Sequence, residues 1–128
     1  MTTALITHSD CLNHVAPPGH PECEARLEVI LSALEGPDFN ALERIEAQKA
    51  TMEQIQLVHD EQHIEHIANN VPMDGNAMID GDTYLSSGSE EAAFRAAGAV
   101  CQAIDRVMAG DNKNAFCAVR PPGHHAEP

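Results

Sequence analysis

The sequence predicts an α/β chain with a mostly parallel sheet, and three observations carry that expectation. Segments of strand character alternate with segments whose apolar residues recur at helical spacing, in the order β, loop, α, β, α, loop, α, β. The run Ala115-Phe116-Cys117-Ala118-Val119 is apolar without alternation, as a strand covered on both faces requires. The two densest His, Pro and Gly clusters follow the first and last strands, where an open parallel sheet places its functional loops.

The elements follow in order. Thr3-Ala4-Leu5-Ile6-Thr7 is a short, partly β-branched apolar run and predicts the first strand. Residues 8–21 are rich in His, Asn and Pro, and Pro17, Pro18, Gly19 and Pro21 exclude a helix there. Leu27, Ile30, Leu31 and Leu34 share a helical face over 22–34, with Glu22 and Glu24 in the first turn, where the helix dipole favours acids. Gly36-Pro37 ends that helix. A weaker strand pattern covers 42–47. Thr51 and Gln54 form a capping-box pattern for a helix over 52–58, and a further helix is expected over 60–69. Residues 71–89 read as a loop, punctuated by Asp74-Gly75, Asp80-Gly81 and Ser86-Ser87-Gly88. Ser89 is the expected N-cap of a long Ala-rich helix running to about Met108 and closed by Gly110. The last strand is expected over 115–119.

Composition narrows the function classes. At 128 residues the chain is expected to form one domain, with an aliphatic core because it has no Trp and one Tyr. A net charge of −13 argues against nucleic acid and anionic membrane as direct partners, which need a cationic face. No stretch approaches the roughly 18 uninterrupted apolar residues of a membrane span, and the first ten residues lack the pattern of a secretion signal. Cys11, Cys23, Cys101 and Cys117 form no CxxC pair, so reduced thiols and a cytoplasmic location are expected.

The densest chemistry lies in Arg120-Pro121-Pro122-Gly123-His124-His125-Ala126. Two prolines and a glycine define a turn, and two adjacent imidazoles leave it toward different partners. Distinct partners permit distinct protonation states, which a paired acid–base role requires. A surface His-His pair is the alternative. His59, His63 and His66 are spaced i, i+4, i+7 and would suit a shared metal, but the Asp60, Glu61 and Glu65 around them favour a solvated polar face. His8, His14 and His20 are expected as loop and rim residues.

The run RPPGHHAEP resembles the tandem-histidine segment of the zinc-dependent histone deacetylase superfamily, which includes acetoin-utilisation proteins and acetylpolyamine amidohydrolases. Gly19-His20-Pro21-Glu22 with Arg26 and Leu27 resembles its HPE…RL motif. Asp82-Thr83-Tyr84-Leu85 with Gly88-Ser89 and the helix through Ala97-Gly98 supply a third segment, and ATMEQIQLVH over 50–59 a fourth. The AEP ending and the HPE motif look most like class II and bacterial members.

This resemblance implies the N-terminal portion of an arginase/deacetylase-type three-layer αβα fold, truncated within 1–128. It implies His125 as the general base and His124 as the charged neighbour that stabilises the tetrahedral oxyanion. Asp82 would accept hydrogen bonds from substrate amides at the tunnel rim, with His20 and Pro21 beside it, and Arg26 would face the internal acetate channel. Asp82 as a turn residue and Arg26 as an i, i+4 ion-pair partner of Glu22 are the structural alternatives.

The family's zinc ligands, an Asp-x-His pair on the next strand and a later Asp, have no counterpart here, so zinc is expected in the complete family fold and not on this chain alone. The expected substrate is an acetylated amine, acetyl-lysine or an acetylpolyamine, acted on in a longer protein. A non-catalytic binding or assembly module is the other reading. A strand left with a free edge predicts a homo-oligomer.

Overall fold

The computed structural model describes residues 1–127. Five strands and four α-helices run in the order β1 (Thr3–Thr7), α1 (Glu24–Ala33), β2 (Glu43–Glu46), α2 (Met52–Gln56), α3 (Glu61–Asn70), β3 (Ala77–Met78), β4 (Tyr84–Leu85), α4 (Ser89–Met108) and β5 (Asn114–Cys117), with 3₁₀ turns at Ser9–Asn13 and Pro37–Phe39. The main sheet is parallel throughout, in the order β2-β1-β5. Ile6 stands opposite Ile45 on one side and Cys117 on the other.

Strand β1 is central, and of the three strands it alone is buried on both faces; β5, expected to be covered on both faces, leaves Phe116 half-exposed. Ala4 and Ile6 pack with Ala47, Ala99 and Ala103, the last two from α4. Leu5 points the other way, to Cys11, Leu27 and Ala118, with Leu31 and Leu34 of α1 beside them. Alternation along a five-residue strand thus sends successive side chains into two cores. The result is three layers, α1 over the sheet over α4.

Small residues set how close α4 comes. Gly98 is buried where any Cβ would collide with the backbone of Gln48, Lys49 and Ala50, and the Ala50 N–H donates to the Phe94 carbonyl at 2.9 Å. Helix α2 opens on the expected capping box: the Gln54 N–H donates to Thr51 Oγ1 at 3.1 Å, and the Thr51 N–H to Gln54 Oε1 at 2.9 Å.

Four boundaries differ from the sequence expectation. Helix α1 starts at Glu24, two residues late, because Glu22 is drawn into a buried ion pair and Cys23 takes the extended N-cap conformation. Gly88, not Ser89, is the N-cap of α4. Ser89 is buried instead, and its Oγ accepts from the Ser86 N–H at 2.6 Å. The segment 71–89 contains the antiparallel pair β3–β4, whose two-residue strands are too short to show a period. Finally, β5 ends at Cys117, although the Ala118 N–H still donates to the Ile6 carbonyl at 2.9 Å. No helix among the described residues is long and apolar enough to cross a membrane.

Candidate functional site

The loop after β1, the β3–β4 hairpin and the turn after β5 meet at the carboxyl ends of β1 and β5. Between them and helices α3 and α4 lies a groove of about 580 Å³. Seven of the eight histidines line it: His14, His20, His59, His63, His66, His124 and His125. Its carboxylates are Glu22, Asp80, Asp82, Glu90 and Glu127, and among the described residues no Lys or Arg lines it.

The tandem histidines leave a rigid turn. Gly123 has φ +79°, a value that L side chains rarely adopt, and the Ala126 N–H closes the turn onto the Gly123 carbonyl at 2.9 Å. The two imidazole centroids are 4.4 Å apart with planes tilted by 51°. His125 Nε2 lies 3.3 Å from Asp82 Oδ2, and His20 Nε2 lies 3.3 Å from Asp82 Oδ1. His20 Nδ1 accepts from the Glu22 N–H at 3.1 Å, which leaves its Nε2–H to donate to the Asp82 main-chain carbonyl at 3.1 Å. The exposed Asp82 carboxylate thus lies beside both a rim histidine and a tandem histidine.

Asp82 is free for this because its neighbour does the local work. Asp80 Oδ1 accepts from the N–H groups of Asp82 and Thr83, both at 2.8 Å, and the turn is built on Asp80. Hydrogen bonding from the Asp82 backbone is the leading cause that holds the Asp80 carboxyl below its usual range.

Beneath the rim lies a buried polar layer. Arg120 is 2% exposed and grips Glu22 with two bonds of 2.8 Å, Nε to Oε1 and Nη2 to Oε2. The Tyr84 hydroxyl lies 2.6 Å from the Glu22 carbonyl and 2.8 Å from its carboxylate, and accepts from Arg120 Nη2 at 2.9 Å. Burial works against the Glu22 charge. The Arg120 and Tyr84 hydrogen bonds outweigh it and hold the carboxyl below the usual range. His14 stacks on Tyr84 with centroids 4.5 Å apart, and its Nδ1 lies 2.6 Å from Ser89 Oγ. Burial, with the Arg120 charge, pushes the His14 pKa down to about 4, so the ring is neutral near pH 7.

The structure therefore gathers His124, His125, Asp82 and His20 at one mouth. Pro21 is exposed at the corner after His20 and does not line the groove. Arg26 lies outside the groove on α1, half-exposed, with Nη1 3.3 Å from Glu22 Oε1, which is the i, i+4 pairing. His59 precedes α3, so it does not extend a helical face with His63 and His66. It stacks on His63 at 4.8 Å, and its buried Nδ1 has no partner. His59 and His63 are part-buried and turn toward the groove, whereas His66 and the acids Asp60, Glu61 and Glu65 are exposed, as a solvated face would have them. Among the described residues no three His, Cys, Asp or Glu converge on a point where a metal ion would sit, so these donors do not fit a zinc site.

Sequence reasoning missed Arg120, Tyr84 and His14. The apolar run before Arg120 was a partial signal: an arginine that such a run carries into the interior needs a carboxylate.

The histone deacetylase domain profile matches residues 20–128. A probable deacetylase of Archaeoglobus fulgidus is 34% identical over 131 aligned residues, which cover all of this chain and 36% of that protein. Histone deacetylase 9 of Homo sapiens is 36% identical over 84% of this chain and 13% of its own length. The crystal structure of the HDA15 HD domain superposes with a TM-score of 0.87 at 28% identity, covering 98% of this chain and 37% of that one. The chain spans about a third of the archaeal relative and of the solved domain.

Proposed function

Because the chain belongs to the histone deacetylase domain family, we propose that it supplies the acid–base half of an amide-hydrolysing site for acetyl-lysine or acetylpolyamine-type substrates. The observation that carries this reading is the meeting of the tandem-histidine turn with Asp82 and His20 at the mouth of one groove. His125, exposed on one edge and paired with a carboxylate on the other, is the general base. The Asp82 carboxylate beside it orients the ring. His124 stands beside it and stabilises oxyanion charge. A largely apolar groove with five carboxylates and, among the described residues, no Lys or Arg suits an aliphatic stem and the cationic amines of an acetylpolyamine. Asp82, more than half exposed, receives its amides at the rim.

The family is generally zinc-dependent, and zinc there supplies Lewis-acid polarisation of the scissile carbonyl. Among the described residues no group of donors fits such an ion, and the chain spans about a third of the archaeal relative and less of the human one. The reading therefore makes this chain one part of a working enzyme, inactive by itself and cytoplasmic, a location supported by its four free thiols. A fluorogenic acetyl-lysine assay and an acetylputrescine assay test it, run with zinc on this chain alone and on a longer protein containing it. Activity of the longer protein that is lost on His125→Ala supports the reading. Turnover by the chain alone overturns the claim of inactivity, and a longer protein that hydrolyses neither substrate overturns the substrate class.

A second reading has its own observation. Val100, Ile104 and Met108 of α4 and Phe116 of β5 are about half-exposed or more, and β5 has no partner on its outer side among the described residues. These apolar patches, on either side of the sheet, and the free β5 edge favour assembly with another copy or with further polypeptide.

A further inference from the structure

The turn that carries the tandem histidines is stiff within itself, closed by the Ala126–Gly123 hydrogen bond, but little of its own fixes it to the rest of the fold. Residues 122–127 are all exposed, so burial of their own side chains does not fix their place. Arg120, at the base of the turn, is 2% exposed. All five of its N–H groups are matched: Nε and one Nη2 hydrogen to the Glu22 carboxylate, the other Nη2 hydrogen to the Tyr84 hydroxyl at 2.9 Å, and Nη1 to the carbonyls of Cys11 at 3.0 Å and His14 at 2.7 Å.

We propose that Arg120 is a positioning residue that fixes the tandem-histidine turn against the rim, with Glu22 and Tyr84 as its receivers, so that His125 meets Asp82. A planar guanidinium with every donor matched has one pose, which the compact ammonium of lysine cannot reproduce. Its receivers are parts of the rim. Glu22 lies two residues after His20 and donates its N–H to that ring at 3.1 Å, and Tyr84 lies two residues after Asp82. His20 also packs edge-on against Tyr84 at 4.8 Å. From Arg120 outward the chain is stiff, since Pro121 and Pro122 fix φ. An orientation set at the guanidinium is thus carried five residues to His125. The importance of that placement rests on the functional reading above, whereas the anchoring does not.

The test uses this chain, labelled with ¹⁵N and at histidine. Two signals report the anchor: the nuclear Overhauser contact between the His125 ring and Asp82, and the order parameters of the 123–126 amides. In Arg120→Ala the contact should vanish, and the order parameters should fall from about 0.85 to below about 0.6. Adding about 20 mM guanidinium, far below denaturing concentrations, should restore both, and equal sodium chloride should not. Arg120→Lys should fail to restore them. If Arg120→Ala does not fold, Tyr84→Phe carries the test, since it removes one receiver of five and should weaken both signals while the β1 and α4 amides stay unchanged. Folded Arg120→Lys and Tyr84→Phe proteins with wild-type signals would overturn the proposal. These signals stand apart from catalysis: absence of amide hydrolysis in every longer form would sink the functional reading and leave the anchor intact.

Discussion

Replacing His14 with Phe should flatten the acid side of the stability profile. His14 is 4% exposed, stacked on Tyr84 and bonded to Ser89, and burial brings its pKa from 6.5 to about 4. Above pH 6.5 the ring is neutral in both folded and unfolded chains, and it contributes nothing to the pH dependence. As the pH falls from 6.5 toward 4, the unfolded chain binds a proton that the folded chain refuses, and stability is withdrawn. Below about 4 both states are protonated and the loss levels off. Integrating this linkage gives a loss of about 2 kcal/mol at pH 5 relative to pH 7. Urea unfolding followed by circular dichroism at the two pH values measures it. His14→Phe keeps the stack and loses the Ser89 bond, so it should start about 1 kcal/mol lower at pH 7. From there it should lose about 2 kcal/mol less than wild type on going to pH 5. The other seven histidines are common to both proteins and cancel in the difference. Equal losses in the two proteins would refute the argument, for they would mean that His14 takes up its proton in the folded state.

Three further outcomes are expected. Burial, then the Glu22 carboxylate, raises the Tyr84 phenol above its ordinary value, and Tyr84 is the sole tyrosine. Its phenolate absorbance should stay silent at about pH 11 while the chain is folded and appear when urea unfolds it, and a midpoint near the usual 10 would contradict the buried layer. Gly98→Ala should cost about 3 kcal/mol, because its Cβ meets backbone that cannot swing aside, and a thermal melt unchanged from wild type would show that α4 sits farther from residues 48–50. Sedimentation at high concentration should show self-association that Phe116→Lys disperses by placing a charge on the free β5 edge, and a wild-type monomer would sink the edge argument.

The sequence made the layers legible and left the polar interior dark. The apolar run Thr3–Thr7 announced the first strand, and Thr51 with Gln54 announced a capped helix. The unbroken run after Asn114 announced a strand but overstated its cover, since Phe116 is half-exposed and only one face of β5 is packed. Those signals are local, set by the period of one element and its flanks. The β3–β4 hairpin escaped because two residues cannot show alternation. At the site, the His124-His125 pair and Asp82 were legible as motifs. Their dependence on Arg120, Glu22 and Tyr84 was not, because those residues lie 36 to 98 positions apart and converge only after the sheet has formed. Glu22 shows the difficulty best: as a first-turn acid it looked like a helix signal, and its side chain instead delays the helix by two residues.

The central place of β1 has a consequence for how the chain is made. Thr3 pairs with Asn114, so β1 must wait through about 110 residues of synthesis for its second neighbour. At about 5–20 residues per second that wait is about 5–20 s. For all of it Leu5 and Ile6, the most apolar pair in the strand, have only β2 and the early helices for cover. A pairing of such long sequence separation is also slow to close once both strands exist. The nascent chain is therefore most exposed to misassociation before β5 emerges, and a chaperone that holds the first strand would act in that interval.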